Sequence, residues 1–379
     1  MVASALLVTN EYPPDRVAGT AINTQFVAEE LAARDFRVGV VVNTRQHAPA
    51  RELEGSLEVV RLRPVGMPMT RMAQRAALLV EIARRQRPDV IYGTALSCGF
   101  LALVAGRCLG IPAVTNVAGN DLYFSSPWAR QTYIRWALTA SDGVTAHTAD
   151  LAARAFALSG RRPEVVTPGL RVRPAHQISR HAARALLELS EAGPIVLYAG
   201  RLSPEKGVVW LVRAFPAVIA ACPDARLVLV GDGPQRTELA ALAQTLGLKG
   251  AVLFAGMQPH DTVISYMRAA DLFVFPSLRE VFGIALVEAM SCGLPIVASN
   301  VMGIPSVVED PANGRLVPPS DAAALAERVI YFLQAPGERA ALAERNMAKA
   351  AEYAIPRIVD RLLAVWDRAA AVRLTRRSA

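Results

Sequence analysis

Residues 280–290 read EVFGIALVEAM, and this stretch decides the interpretation of the whole chain. Two carboxylates, Glu280 and Glu288, lie eight residues apart, and the apolar run after Gly283 is typical of the start of a helix. The first backbone N–H groups of a helix have no partner within it and form a ready anion site. The stretch therefore predicts a clamp, with a diphosphate at the helix start and one carboxylate on each flanking sugar. An ordinary amphipathic helix with two solvated glutamates explains the spacing equally well.

Short apolar runs alternate with helical patterns on both sides of this stretch. Candidate strands lie at 6–9, 38–42, 59–60, 90–92, 113–115 and 143–145 in the first half, and at 195–198, 226–230, 252–254, 272–275 and 296–298 in the second. Continuous apolar runs of this kind are typical of strands buried on both faces of a parallel sheet. The alternation predicts an α/β protein with two Rossmann-like, doubly wound domains.

The predicted domain boundaries follow the breaks in this alternation. Residues 1–175 form the first domain, 176–190 a linker and 191–355 the second domain, while a helix at about 356–379 packs back on the first. A chain of 379 residues is long enough for two such domains. Because ligands bind at the carboxyl ends of the strands in these sheets, two domains facing each other are expected to form a binding cleft.

Composition excludes several classes of protein. A hydrophobic content of 53% with 20% charged residues excludes a disordered chain. No apolar run reaches 18 residues, so no spanning helix is predicted, and the run at 3–8 is too short for a signal segment. The four cysteines lack metal-ligand spacing and are interpreted as reduced thiols, which predicts a cytoplasmic protein without a metal site.

The net charge of +8 belongs to the first half of the chain. Residues 1–184 carry 22 basic and 14 acidic side chains, whereas the remaining residues carry 19 of each. Anionic partners are therefore expected, such as a phosphorylated acceptor or a lipid surface. Nucleic acid is not expected, because no nucleic-acid-binding motif is visible. The basic, amphipathic segment 71–87 predicts peripheral contact with the anionic inner face of a membrane or, as the alternative, a helix that covers the first sheet.

Several blocks of the second half resemble the retaining glycosyltransferases of family 4, which have the two-domain GT-B fold. They are AGRLSPEKG at 199–207, VGDGP at 230–234, ADLFVFPS at 270–277, the stretch at 280–290, GLPIVA at 293–298 and NGRLV at 313–317. The first half matches more loosely, at the Pro-rich loop 13–19 and at 119–122. The resemblance implies transfer of a sugar from a nucleotide-diphosphate sugar, bound by the second domain, to a hydroxyl acceptor on the first.

The resemblance also implies roles for four side chains. Arg201 and Lys206 contact the donor diphosphate, where fixed cations stabilise the departing group. Glu288 binds the ribose and Glu280 binds hydroxyls of the transferred sugar, since carboxylate oxygens accept hydrogen bonds.

The other donor-binding candidates are mostly backbone positions, namely Gly19, Gly200, Gly231, Gly233, Phe282, Gly283 and Ile284. Gly283 and Ile284 offer N–H groups to phosphate, and Gly19 lets a loop of the first domain approach it. Gly231 and Gly233 form the base-side wall of the nucleotide site. For Phe282, core packing is the preferred interpretation.

Asp121 completes the catalytic candidates Arg201, Lys206 and Glu280. It holds a sugar hydroxyl or, as the alternative, caps a turn or helix. The family often carries His-Gly-x-Asp at this point, and Ala118 takes the place of the histidine here. His147 and Thr148 follow a strand; Thr148 is predicted to cap the next helix, and His147 is interpreted as structural.

The sequence thus predicts a metal-independent hexosyltransferase that uses a UDP- or GDP-sugar. Its acceptor is a lipid-linked or phosphorylated hydroxyl compound, in the biosynthesis of a polysaccharide, glycolipid or other glycoconjugate. No cofactor is expected, because Arg201, Lys206 and the helix start neutralise the diphosphate. Two alternatives remain open: a nucleotide-sugar 2-epimerase on the same fold, and a non-catalytic nucleotide-sugar-binding partner, which the missing histidine suggests.

Overall fold

The computed structural model describes residues 2–14, 19–43, 50–63, 68–119, 122–123, 128–171 and 177–378. The chain divides into two compact units. The first unit combines Met1–Gly169 with Ile355–Ala379, and the second unit is Leu170–Ala354.

The first unit alternates strands and helices along the chain. Its strands are β1 (Ser4–Thr9), β2 (Arg37–Val42), β3 (Arg51–Glu54), β4 (Leu57–Arg61), β5 (Val90–Gly93), β6 (Ala113–Val117), β7 (Gly143–Ala146) and β8 (Glu164–Val165). The helices between them are α1 (Gly19–Ala33), α2 (Pro68–Gln86), α3 (Leu96–Leu109), α4 (Trp128–Ala140) and α5 (Ala149–Ser159).

These strands form one sheet in the order β3-β4-β2-β1-β5-β6-β7-β8. Neighbouring strands are parallel except at the edge, where β3 runs antiparallel to β4. Apolar side chains cover both faces, with Phe26 and Leu31 of α1 in one buried cluster and Leu79 of α2 with Leu101 of α3 in another. The sheet is therefore doubly wound, as predicted.

Helix α2 contains the basic segment for which a membrane contact was predicted. Leu79, Ile82 and Ala83 are buried in the cluster under the sheet, and Arg85 donates to Glu58 Oε1 at 2.8 Å. The apolar stripe of α2 thus serves the core, which agrees with the alternative prediction of a covering helix. None of the helices that the structure describes combines the length and apolarity that crossing a bilayer requires.

The second unit repeats the alternation. Its strands are β9 (Ile195–Ala199), β10 (Arg226–Val230), β11 (Val252–Gly256), β12 (Leu272–Phe275), β13 (Ile296–Ser299) and β14 (Arg315–Val317). Its helices are α6 (Arg180–Leu186), α7 (Val208–Ala221), α8 (Arg236–Thr245), α9 (His260–Ala269), α10 (Ile284–Ser291), α11 (Ala322–Gln334) and α12 (Pro336–Ala351).

The second sheet is parallel in all its strand pairs and has the order β11-β10-β9-β12-β13-β14. Strands β10 and β11 lie on one side of β9, and β12 to β14 lie on the other. The chain connections therefore run in opposite directions along the sheet from the boundary between β9 and β12. In open α/β sheets, the carboxyl ends of the strands at such a switch point form the ligand crevice.

The second unit starts earlier than the predicted boundary at 191, because α6 lies inside the predicted linker 176–190. Buried Arg184 of α6 donates to Asp271 Oδ2 at 2.7 Å and to the Ala269 carbonyl at 3.0 Å. The same Asp271 oxygen accepts the N–H of Ile195 at 2.9 Å. A buried ion pair broken by loss of one partner is strongly destabilising, so these contacts fix α6 to the second sheet.

The first unit is completed by the last helix, α13 (Ile355–Ser378). Trp366 is fully buried, with its ring centroid 5.3 Å from that of Tyr92 on β5. Asp367 accepts the N–H of Val2 at 2.7 Å. One face of the first sheet is therefore covered by a helix that follows the whole second unit in sequence.

Candidate active site

Four of the predicted donor-binding residues lie in loops at the carboxyl edge of the second sheet. Arg201 and Lys206 follow β9, whereas Glu280 and Gly283 follow β12. These two strands are neighbours at the switch point. Residues about 80 positions apart in the sequence are thus brought to one edge by the topology, as the strand-end rule requires.

Backbone hydrogen bonds connect these loops in series. The N–H of Gly200 bonds the Val230 carbonyl at 2.9 Å, that of Leu202 bonds Asp232 at 2.9 Å, that of Gly231 bonds Gly256 at 2.7 Å and that of Leu278 bonds Glu205 at 2.9 Å. The backbone hydrogen bonds thus connect the loops after β9, β10, β11 and β12 into one framework.

This framework explains two glycines of the VGDGP block. Gly231 has φ 129°, and a Cβ on it would lie 2.0 Å from the Gly200 carbonyl oxygen. A Cβ on Gly233 would lie 2.2 Å from the carbonyl oxygen of Leu202. Both positions exclude any larger residue because another loop passes so close. Loop packing thus accounts for Gly231 and Gly233, whose role as a base-side wall stays a prediction.

Lys206 and Glu280 form an ion pair across the switch point. Lys206 Nζ lies 2.6 Å from Glu280 Oε2, and the two side chains are 23% and 16% exposed. Lys206 ends the short 3-10 turn Pro204–Lys206, while the Glu280 carbonyl accepts the N–H of Gly303 at 3.1 Å. The cation predicted for the diphosphate therefore has a carboxylate partner that belongs to the predicted sugar site.

Arg201 is exposed and makes no ion pair with the described part of the chain. Its carbonyl accepts a 2.9 Å hydrogen bond from the Tyr198 hydroxyl. Burial, with the charges of Glu280 and Glu205 adding to it, raises the pKa of Tyr198 above its ordinary range, so this hydroxyl remains a donor. The backbone at Arg201 is thereby fixed while its guanidinium stays available to an anion.

Helix α10 begins where the sequence predicts. Gly283 is its N-cap, with φ 80° and ψ 71°, and Ile284 is the first helical residue. A left-handed cap of this kind suits glycine. The N–H of Leu286 bonds the Gly283 carbonyl at 2.9 Å, which leaves the N–H groups of Ile284 and Ala285 at the helix start. An anion site there stays a prediction.

Glu288 lies in the second turn of α10 and is 6% exposed. Its Oε1 is 2.7 Å from Nε2 of His260, the first residue of α9. His260 lies outside every recognised sequence block and was not among the predicted site residues. The strand-end rule could have found it, because His260 follows β11 at the same edge of the sheet.

Three remaining candidates have different surroundings. Phe282 is 5% exposed and its ring centroid lies 5.7 Å from that of Tyr353, so its ring is engaged in packing, as preferred above. Gly19 is exposed and begins α1 in the first unit. Asp121 lies outside the described residues.

His147 is buried in the first unit and hydrogen bonds Asn116 Nδ2 through Nε2 at 2.8 Å. Burial lowers the pKa of His147 to about 4, so the ring is neutral at neutral pH. Its Nε2 accepts from the amide of Asn116, whose oxygen accepts from Thr145 at 2.9 Å. His147 therefore belongs to a buried polar network, and Thr148 caps α5 as predicted, accepting from Leu151 N at 3.2 Å.

No metal-binding cluster of three or more His, Cys, Asp or Glu side chains occurs among the residues that the structure describes. The cations at the candidate site are Arg201 and Lys206, and the carboxylates are Glu280 and Glu288. The arrangement can bind an anion beside two hydrogen-bond acceptors, which is what a nucleotide-diphosphate sugar needs.

Both halves of the chain match known families. A family model described as "Glycosyl transferases group 1" matches residues 179–349, and one described as "Glycosyl transferase 4-like domain" matches residues 18–170. A GDP-mannose-dependent monoacylated alpha-(1-6)-phosphatidylinositol monomannoside mannosyltransferase of Corynebacterium glutamicum is 30% identical over 90% of this chain and 92% of its own. A D-inositol 3-phosphate glycosyltransferase of Acidothermus cellulolyticus is 31% identical over 92% of this chain and 85% of its own.

The fold is also found among solved structures. Sucrose-phosphate synthase from Thermosynechococcus elongatus superposes with a TM-score of 0.84 at 23% identity, over 96% of this chain and 98% of that one. This likeness concerns the fold alone. With the two family models and a relative 30% identical over 90% of the chain, the protein belongs to the group 1 glycosyltransferases, family 4, and has their GT-B fold.

Proposed function

We propose that the protein transfers a sugar, with retention of configuration, from a nucleoside-diphosphate sugar bound by the second unit to a hydroxyl group of a phosphate-bearing acceptor. The observation that carries this proposal is the Lys206–Glu280 pair at the switch point, beside the start of α10. It puts a cation for the diphosphate next to a carboxylate for the sugar. The Corynebacterium relative, named as GDP-mannose-dependent, supports a GDP-sugar as the first donor to test.

In the proposed reaction the acceptor oxygen bonds to the anomeric carbon as the bond from that carbon to the diphosphate oxygen breaks on the same face. The proton of the acceptor hydroxyl passes to the departing phosphate oxygen. Arg201, Lys206 and the first N–H groups of α10 stabilise the charge that develops on the diphosphate. Glu280 holds the transferred sugar and Glu288 the ribose, so the protein contributes mainly positioning and electrostatic stabilisation.

The acceptor proposal rests on charge and on the relatives. The first unit carries the basic excess of the chain, and both curated relatives are named for phosphorylated inositol compounds. An anionic acceptor, lipid-linked or free, fits this charge. Asp121 is proposed to act on the acceptor side of the site. Gly19 is proposed to let a loop of the first unit approach the diphosphate.

We also propose peripheral contact with an anionic membrane through the basic surface of the first unit. Arg84 on α2 is exposed, and Leu78 is 38% exposed. Sedimentation with vesicles of anionic phospholipid, but not with neutral vesicles, is expected, and Arg84→Glu should weaken it. Equal sedimentation with both vesicle types, or with neither, would remove this proposal.

The test of the proposed function is a calorimetric titration of UDP, GDP, ADP and dTDP in chelator, against the wild type and Glu288→Ala. One diphosphate should bind tightly and bind at least tenfold more weakly to the variant, which would identify the base. Turnover is then assayed with the matching sugar donors. Donor conversion without acceptor would indicate an epimerase, and tight binding without turnover a non-catalytic partner. Absence of binding by all four would contradict the donor site.

A further inference from the structure

His260 contacts the candidate site without belonging to any block that the family resemblance uses. Its Nε2 lies 2.7 Å from Glu288 Oε1, and the side chains of His260 and Glu288 are 18% and 8% exposed. A carboxylate only accepts hydrogen bonds, so Nε2 carries the proton and donates it to Oε1. A mostly buried, short contact of this kind orients both groups.

The backbone around His260 is itself held in place. The Gly256 carbonyl accepts the N–H of Gly231 at 2.7 Å, which ties the loop after β11 to the loop after β10. Gln258, in that loop, donates through Nε2 to the carbonyl of Ala255 in β11 at 2.7 Å. On the other side, α9 buries Ile264 in the core of the second unit. The backbone that carries His260 is therefore fixed, and its imidazole can hold the Glu288 carboxylate in one orientation through their hydrogen bond.

The two carboxylates of the 280–290 stretch have the same kind of side-chain partner. Each has one oxygen bonded to a nitrogen-bearing side chain from a different strand end: Glu280 to Lys206 after β9, and Glu288 to His260 after β11. Neither partner is close to its carboxylate in sequence. In Glu288, the imidazole binds Oε1 and thereby fixes the orientation of the carboxylate plane. Oε2 is then held in a defined direction.

We propose that His260 is a positioning residue, which holds the Glu288 carboxylate in the orientation that accepts the ribose hydroxyls of the donor nucleotide. This inference rests on the proposed function, in which Glu288 binds the ribose. A glutamate side chain has three rotatable bonds, and free rotation about them would have to be lost on each binding event. The imidazole removes that freedom before the nucleotide arrives, so binding is preorganised.

The test measures discrimination between ribose and deoxyribose, which a merely structural role would not change. Dissociation constants are measured by calorimetry for GDP and 2′-deoxy-GDP, and for UDP and 2′-deoxy-UDP. A site that hydrogen bonds a hydroxyl rejects the analogue without it, so the wild type should prefer the ribonucleotide at least tenfold. His260→Phe, which keeps a ring and removes the N–H, should reduce that preference to below threefold by weakening the ribonucleotide alone.

Two further variants make the result specific. His260→Gln carries an N–H near the position of Nε2 and should restore most of the preference. His181→Ala is the matched control, because His181 Nδ1 pairs with Glu191 at 3.0 Å on the surface, with the His181 side chain 82% exposed. That variant should leave both dissociation constants unchanged. His260→Ala replaces His260→Phe in the measurement if the larger ring lowers the unfolding temperature.

Failure of the inference is distinguishable from failure of the proposed function. If Glu288→Ala abolishes the preference for the ribonucleotide and the His260 variants retain it, Glu288 binds the ribose but His260 does not position it. If the wild type binds ribo- and deoxynucleotides equally, the role of Glu288 itself is wrong. Equal weakening of both nucleotides in His260→Phe would assign His260 to the structure of the loop and overturn the inference.

Discussion

Replacing Glu280 by glutamine is expected to tighten the binding of the free nucleoside diphosphate and to impair sugar transfer. Lys206 Nζ is paired with Glu280 Oε2 at 2.6 Å. A diphosphate must therefore compete with a carboxylate for the same ammonium group. The glutamine side chain has nearly the same shape but no charge, so it removes the competitor and leaves the surrounding loop intact.

The size of the effect follows from the geometry. At 2.6 Å the Coulomb attraction is roughly 1.6 kcal/mol with the dielectric constant of water and roughly 6 kcal/mol at an effective value of 20. Desolvation and side-chain ordering offset most of this, and measured values for solvent-exposed pairs reach about 1 kcal/mol. Loss of the pair should thus lower the dissociation constant of GDP or UDP about fivefold.

Sugar transfer should respond in the opposite direction, because Glu280 is proposed to hold the transferred sugar. A reacting group that is misplaced by about 1 Å can lose about 100-fold in rate, so kcat of Glu280→Gln should fall by about that factor. Calorimetry measures the first effect and a donor-turnover assay the second. Glu205→Gln is the matched control, since Glu205 lies on the same loop, hydrogen bonds Ser203 rather than Lys206 and is exposed. It should change the dissociation constant by less than twofold. Unchanged or weaker diphosphate binding by Glu280→Gln would refute the assignment of Lys206 to the diphosphate.

Three further outcomes are expected. Gly231→Ala should lower the free energy of unfolding by about 3 kcal/mol in urea denaturation, because its Cβ would lie 2.0 Å from a backbone oxygen. The control Gly247→Ala, at φ 71° in open space, should lower it by only about 1 kcal/mol. Equal losses in the two variants would contradict the packing argument. The pKa of His147 is lowered by burial from 6.5 to about 4, so the free energy of unfolding should fall, by at most about 3 kcal/mol, as pH drops from about 6.5 to about 4; a slope that persists in His147→Gln would show another group to be responsible. Activity should survive excess chelator if Arg201 and Lys206 neutralise the diphosphate, and its loss would indicate a required metal.

Much of the fold could be predicted from the sequence where one segment carries its own signal. The apolar run 38–42 became β2, and strand β10 has the predicted bounds, Arg226–Val230. Strand β3 gives no such signal. Its sequence, RELE at Arg51–Glu54, has no alternation of apolar and polar residues, and its side chains are mostly exposed. It is ordered as an antiparallel edge strand by pairing with β4. Such a strand depends on its neighbour rather than on local preference.

The candidate site divides in the same way. The glycines and Glu residues of the recognised blocks could be placed at strand ends from the sequence. Their side-chain pairs could not, because Lys206 and Glu280 lie 74 positions apart and His260 and Glu288 lie 28 positions apart. Helix α6 was assigned to a linker for the same reason, since its anchor, Arg184 to Asp271, spans 87 positions. No periodicity or spacing encodes such contacts. They follow only when the order of the strands is known.

The covering of the first sheet by α13 has a consequence for the order of events on the ribosome. The buried cluster that contains Phe26 and Val40 also contains Trp366, which is translated after the whole second unit. The second unit is continuous in sequence and can fold as soon as it has emerged. The first unit, although it is made first, keeps part of one apolar sheet face open until α13 has been made. Domains usually fold in the order of translation; here the earlier unit finishes last, and its open face is the surface that a chaperone would meet.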